Sequence, residues 1–257
     1  MAIYYFINGG TDNNWNTVSN WSLSSGGPNN GSIPTSSDDA YLDSNSPNCI
    51  IDANPNAFCN NFTCTGYTNT LDVRTTFGIV NNFILSSGMT FITTNVLAII
   101  RISASYNDIN INTFGKVFNC FLDLSGSGFV TNLLSTLTNT NIIYAQSTIF
   151  GGPFGFVTNM FSIYVETTLA SGITYVVNNQ LIGYNIYSQS GLLNSSNPGT
   201  QAILNFTGSS HDMTYVNATD IDSSGGNPIY TFHGTLSNTK NWNAVITPKA
   251  TGGTFIN

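Results

Sequence analysis

Ile203-Leu204-Asn205-Phe206-Thr207-Gly208 is a short run of alternating side-chain environments stopped by a glycine turn, and the chain keeps returning to this unit. Phe62-Thr63-Cys64 leads to Gly66, Phe83-Ile84-Leu85 to Ser87-Gly88, and Leu122-Asp123-Leu124 to Ser125-Gly126-Ser127-Gly128. Ser162-Ile163-Tyr164-Val165 precedes Ser171-Gly172, and Tyr184-Asn185-Ile186-Tyr187 precedes Ser190-Gly191. Each run has the period of two expected of a half-buried strand. The turns at Gly66, Gly88, Gly128, Gly151, Gly172, Gly191, Gly208 and Gly225 recur about every 20 residues, and Asn107-Asp108 fills the one double gap. β-Rich repeats of that length without leucine-rich motifs predict an all-β solenoid, a right-handed parallel β-helix. The same strands and turns would also suit a β-sandwich or jelly roll.

Composition narrows the function classes. Only 7% of the 257 residues are charged while 41% are hydrophobic, so the chain can bury a large core and still present a neutral surface of Asn, Ser and Thr. Glu occurs once, at Glu166, and the good surface helix formers are nearly absent, which disfavours long helices. The net charge is −7, and Arg74, Arg101, Lys116, Lys240 and Lys249 are scattered singly. Nucleic-acid binding needs clustered cations, so it is not expected. No apolar run is long enough to cross a bilayer. Met1–Phe6 has no basic region and meets Asn8-Gly9-Gly10 too soon for a signal peptide, which sets the expectation of assembly in the cytoplasm.

The N-terminal stretch carries a motif. Gly9-Gly10-Thr11-Asp12-Asn13-Asn14-Trp15 is followed by Asn20-Trp21-Ser22, then Ser25-Gly26-Gly27-Pro28, then Pro34-Thr35-Ser36-Ser37-Asp38-Asp39 and the short strand Ala40-Tyr41-Leu42. This pattern resembles the N-terminal module of bacterial and bacteriophage surface proteins built as parallel β-helices. Thr214–Tyr230 is similar to a last coil of the same family, and Asn238–Asn243 to its terminal N-x-G-W strand without the Gly. Asn112–Cys120 is similar to its repeating N-G-K-T strand. The resemblance implies an N-terminal capping or attachment module over 1–48, a β-helix over 49–210 and a C-terminal coil and cap over 211–257. Trp15, Trp21 and Trp242 are the expected structural caps, since a solenoid must close its ends.

Cys49, Cys59, Cys64 and Cys120 match no zinc spacing and are expected as reduced core thiols, with a Cys59–Cys64 or Cys49–Cys59 disulfide as the alternative. Asp38, Asp39 and Asp43 could hold calcium, or Asp38 or Asp39 could close the Pro34-Thr35 turn. The densest ionisable group is His211, Asp212, Asp220, Asp222 and His233, where Asp212 and His233 could lie one coil apart on one face. Two carboxylates and a His could serve as acid and base for polysaccharide cleavage. No Arg or Lys accompanies them between Lys116 and Lys240, so capping and turn hydrogen bonds are the better reading. Tyr4, Tyr5, Trp15, Trp21, Tyr41 and Trp242 could stack on sugars or pack the core and subunit contacts.

These readings give a non-enzymatic virion protein without cofactors: a displayed fibre, spike or decoration subunit of a bacteriophage. The expected partners are further copies of itself in a homotrimer, a capsid or tail scaffold protein, and a host surface glycan. A polysaccharide depolymerase and a secreted, cell-surface adhesin are the alternatives.

Overall fold

The computed structural model describes residues 1–7, 9–52, 56–95, 97–103, 109–184 and 191–245. Within them the chain winds as a parallel β-helix with three sheet faces. The first face stacks Ile3–Phe6, Asp39–Asp43, Phe62–Thr65, Phe83–Ile84 and Ile109–Asn112. It continues through the later parts of Phe121–Leu133, Leu137–Gly151 and Phe156–Leu169 into Gly191–Ser195, Val216–Thr219 and Leu236–Ser237. The second face stacks Ala57–Cys59, Thr76–Ile79 and Ile99–Ile102. It runs on through the long strands to Ser210–Thr214, Ile229–Phe232 and Trp242–Val245. The third face holds Cys49–Ile51, Thr70–Val73 and Thr90–Ile92 at one end. At the other end it holds the first parts of Leu137–Gly151, Phe156–Leu169 and Thr174–Tyr184, followed by Ala202–Phe206 and Ile221–Asp222.

Parallel register dictates the core. Because neighbouring rungs align residue on residue, an inward side chain meets the inward side chain of the next coil, about 4.8 Å away. On the second face this produces the column Phe77, Ile100, Leu122, Ile143, Phe161 and Leu181, all fully buried. Each such side chain contributes roughly 1.5–3 kcal/mol when removed from water. Rings also touch along the axis. Trp21 meets Trp15 at 4.6 Å, Trp15 meets Phe77 at 5.0 Å, and Phe62 links Phe77 to Phe83 at 5.0 and 5.7 Å. A second group joins Phe150, Phe156, Phe161 and Tyr175.

The corners obey the same register with amides. Asp39 Oδ1 accepts from the side chains of Asn60 and Asn61 at 2.8 Å each. Asn60 and Asn61 in turn accept from Asn81 and Asn82 at 2.6 and 2.9 Å, and Asn82 accepts from Asn110 at 3.1 Å. An amide both donates and accepts, so one residue type can bond to the coil on either side. The ladder begins on a carboxylate, which only accepts and therefore suits the end of the chain of bonds.

On the first face the N-terminal end is covered by the chain itself. Ile3–Phe6 covers the strand Asp39–Asp43, and Trp21–Ser22 then pairs antiparallel along its free edge. Trp15 and Trp21 are completely buried, with Trp21 Nε1 donating to the Trp15 carbonyl at 2.7 Å. Trp242 is buried in the last described rung, and its Nε1 donates to Ser223 Oγ at 2.9 Å.

Some local expectations change. Ser125–Gly128 is not a turn; it lies inside the strand Phe121–Leu133, where the register with the next rung shifts between Ser125 and Phe129. Small residues suit a bulge as well as a turn, because both need unusual backbone angles. Gly191 likewise opens a strand, and the turn after Gly151 is made by Gly152, whose φ is +84°. The coil length also varies: Ala40–Phe62, Phe62–Phe83 and Phe83–Ile111 are steps of 22, 21 and 28 residues. The four cysteines are buried and unpaired, their thiols pushed upward in pKa by desolvation. Asn107-Asp108, the run beyond Tyr184 up to Ser190, and 246–257 of the C-terminal cap lie outside the described residues.

Trp21→Ala is expected to destabilise the chain by about 3–5 kcal/mol in a denaturant titration, because the ring fills the closed end of the core. An unchanged midpoint would remove Trp21 from that role.

Candidate functional site

The ionisable residues of the C-terminal coils sit on different faces. His211 and Asp212 belong to the second face, beside Leu181 and Ile182. Asp222 belongs to the third face, beside Ile203, and Asp220 occupies the corner before it with φ +57°. The expected match of Asp212 with His233 is off by register. Met213 lies beside Thr231 and Thr214 beside Phe232, so His233 reaches Tyr215, on which it stacks at 5.0 Å.

Each of these groups has a local task. His211 stacks on Tyr230 at 5.7 Å, and its Nε2 accepts the Tyr230 N–H at 3.0 Å. Burial lowers its pKa, with Asp212 acting weakly in the opposite sense. Asp212 Oδ1 accepts from the Thr214 hydroxyl at 2.7 Å. Asp220 accepts from Gly199 N–H at 2.9 Å and from the Asn238 amide, and the Gly199 bond leads in lowering its pKa. Asp222 bonds Lys240 Nζ at 2.7 Å and the Ser224 N–H at 2.9 Å, which hold its carboxyl down to about 2. A general acid at neutral pH needs the opposite shift.

Asp38, Asp39 and Asp43 diverge in the same manner. Asp38 takes the Thr35 hydroxyl at 2.6 Å and the Ala2 N–H at 2.9 Å; burial raises its pKa, and those bonds together outweigh the burial and leave it lowered. Asp39 starts the amide ladder, and Asp43 accepts from Asn45 N–H at 2.9 Å in its own turn. Among the described residues no three His, Cys, Asp or Glu side chains converge as metal ligands. No helix among them is long and apolar enough to cross a membrane.

The basic residues are equally dispersed. Arg74 pairs with Asp72 at 2.7 Å, Arg101 with Asp123 at 2.7 Å, and Lys116 donates to the Ser87 carbonyl at 3.0 Å. Lys249 lies outside the described residues. Of the aromatic residues singled out for sugars, all three tryptophans are core residues, whereas Tyr5 and Tyr41 pair at 5.5 Å on the half-exposed first face. A second pair was missed: Tyr144 and Tyr164, 6.1 Å apart on the outside of the second face. The register sets Tyr144 beside Ser162 and Tyr164 beside Gln146, so the two rings meet diagonally, two residues out of step, and no repeat position signals the pair.

No family model matches the chain, and neither a curated protein nor a solved structure matches it.

The His211 contact predicts a pH dependence. Its folded pKa lies below the ordinary 6.5, so its contribution is complete above that value and is lost as pH falls through it. Between about pH 7.5 and about pH 5.5 the melting temperature is expected to fall more for the parent chain than for His211→Gln. Equal slopes would rule out this contact as the source.

Proposed function

We propose that this chain is a structural protein of a bacteriophage particle, a displayed fibre, spike or decoration subunit that contributes to attachment at a host surface glycan. One observation carries the reading. The densest set of ionisable groups in the sequence, His211, Asp212, Asp220, Asp222 and His233, is spread over separate faces and corners, and its carboxylates are engaged in local hydrogen bonds. Catalysis calls for groups converging on one point with matched pKa values. A scaffold calls for what these residues do, which is to join coils and close turns.

Three further features favour a displayed rod over an enzyme. The parallel β-helix is stiffened by a continuous core and amide ladders, its N-terminal end is closed by Trp15 and Trp21, and its charge content is 7%. A neutral surface rich in hydroxyls and amides suits hydrogen bonding to neutral sugars. The exposed side chains of Leu134, Ile149, Phe154 and Leu192 are apolar surface that side-by-side association of copies would cover, which favours a homo-oligomer, here proposed as a trimer. The resemblance of Gly9–Asp43 to surface β-helix modules points to the same setting.

Mass spectrometry of purified, nuclease-treated particles tests the reading. The chain is expected at a fixed copy number in multiples of three, and Asp220→Asn or Asp222→Asn should leave its incorporation unchanged. Absence from particles, or release of oligosaccharides from host envelope material by the purified chain that either variant abolishes, would overturn it.

A further inference from the structure

The end of the solenoid is closed on two faces and open on the third. On the first face Ile3–Phe6 and then Trp21–Ser22 cover Asp39–Asp43. On the third face the segment at Asn14 covers Cys49–Ile51, with Trp15 N–H donating to the Ile50 carbonyl at 2.9 Å and Ile50 N–H to the Asn13 carbonyl at 2.8 Å. On the second face the first rung is Ala57–Cys59, which pairs only with Thr76–Ile79. No strand among the described residues lies along its other edge.

The backbone itself says which groups are left over. Val80 N–H donates to the Cys59 carbonyl, so Cys59, and Ala57 two residues before it, direct their groups toward the next coil. Alternation along a strand then points the Phe58 N–H and C=O the other way, off the open edge. At the far end Asn60 N–H meets the Asp38 carbonyl, so the passing chain touches the edge there and then leaves it.

A groove of about 600 Å³ occupies the place of the missing rung, lined by Asn16, Ile33, Thr35, Ser36, Asn56 and Phe58 among others. Its position follows from the chain path. After Asn16 the chain turns back through the 3-10 turn Val18–Asn20 and pairs Trp21–Ser22 on the first face, and it comes back to the groove at Ile33–Ser36, which form one of its walls. Phe58 is 42% exposed, and its ring lies over Gly78, where a Cβ would come within 2.4 Å of it. The ring therefore lies flat along the sheet toward the next coil and does not close the edge.

We propose that this groove receives an extended segment of a partner polypeptide, which adds as the missing first rung of the second face. The occupant follows from the chemistry. A free N–H and C=O on one residue of a sheet edge are matched by another extended backbone, with alternate side chains giving the specificity. Ile33 and Phe58 suit apolar side chains of such a segment, and Thr35, Ser36 and Asn56 suit its Ser, Thr or Asn. The lining residues carry no charge, so an uncharged segment fits best.

Amide hydrogen exchange at Phe58, followed by NMR, tests the assignment with a defined probe. The probe is the acetylated, amidated peptide of residues 76–82, the sequence that already pairs with this strand on its other edge. In the free protein the Phe58 amide is expected to exchange quickly while the Ile79 and Ile100 amides exchange slowly. Saturating peptide should slow Phe58 by about tenfold or more and leave Ile79 unchanged. Phe58→Leu keeps the N–H and should retain peptide binding. Phe58→Pro removes the outward donor together with the ring, a loss for which Phe58→Leu is the control, and on an edge strand it should lose binding without losing its fold. Should that variant fail to fold, exchange in the parent chain still decides. A Phe58 amide protected in the free protein would mean that the edge is already closed. Protection that rises with protein concentration alone would place a second copy there, and no protection by the peptide would leave the edge without this occupant. Each of these results overturns the proposal, and none of them bears on whether the chain belongs to a particle.

Discussion

Everything in this molecule depends on parallel register being kept from one coil to the next. A strand stacked in register brings like side chains together at the sheet spacing, so one apolar choice per position builds a column and one amide per corner builds a ladder. A slip of one residue would turn each inward side chain outward. The column through Phe77, Ile100 and Leu122 and the amide ladder from Asp39 to Asn110 are two expressions of this constraint, one hydrophobic and one polar. Coil length varies, from 21 residues between Phe62 and Phe83 to 28 between Phe83 and Ile111, while the parallel register is kept.

The solenoid was legible in the sequence because glycine and asparagine mark many of the places where the backbone leaves the strand region. Gly66 and Gly172 have positive φ, as a corner requires, and were read correctly as turns. The failures share a physical cause. Ser125–Gly128 has turn composition but sits in a bulge, because both features use the same small residues. The match of Asp212 with His233 failed because it needs the register of one corner, where Tyr215 and His233 both adopt positive φ without being glycine. Local sequence does not announce that geometry, and an error of a few residues moves a side chain to a different neighbour or face. The turn role of Asp38 was readable because an Asx cap is a local feature. The Tyr144–Tyr164 pair depends on stacking across coils and was not read.

The distribution of charge follows from the same economy. A solenoid whose corners are joined by amides needs few ions, and several of those present are held by charged partners: Asp222 by Lys240, Asp123 by Arg101, Asp72 by Arg74. The closed N-terminal end shows how edges are handled, with an antiparallel strand laid over the first face and a short segment over the third. The second face is the exception, and an exception in an otherwise closed end is where a partner strand belongs.

The stacking order itself is open to direct measurement by solution NMR. Cross-strand contacts between amide and α protons should link Phe77 to Ile100, Ile100 to Leu122, Leu122 to Ile143, Ile143 to Phe161 and Phe161 to Leu181, in the pattern of parallel strands. That series would establish register-locked coils in solution. The alternating close pairs of antiparallel strands, which a jelly roll would give, or contacts that skip members of the series, would contradict the account.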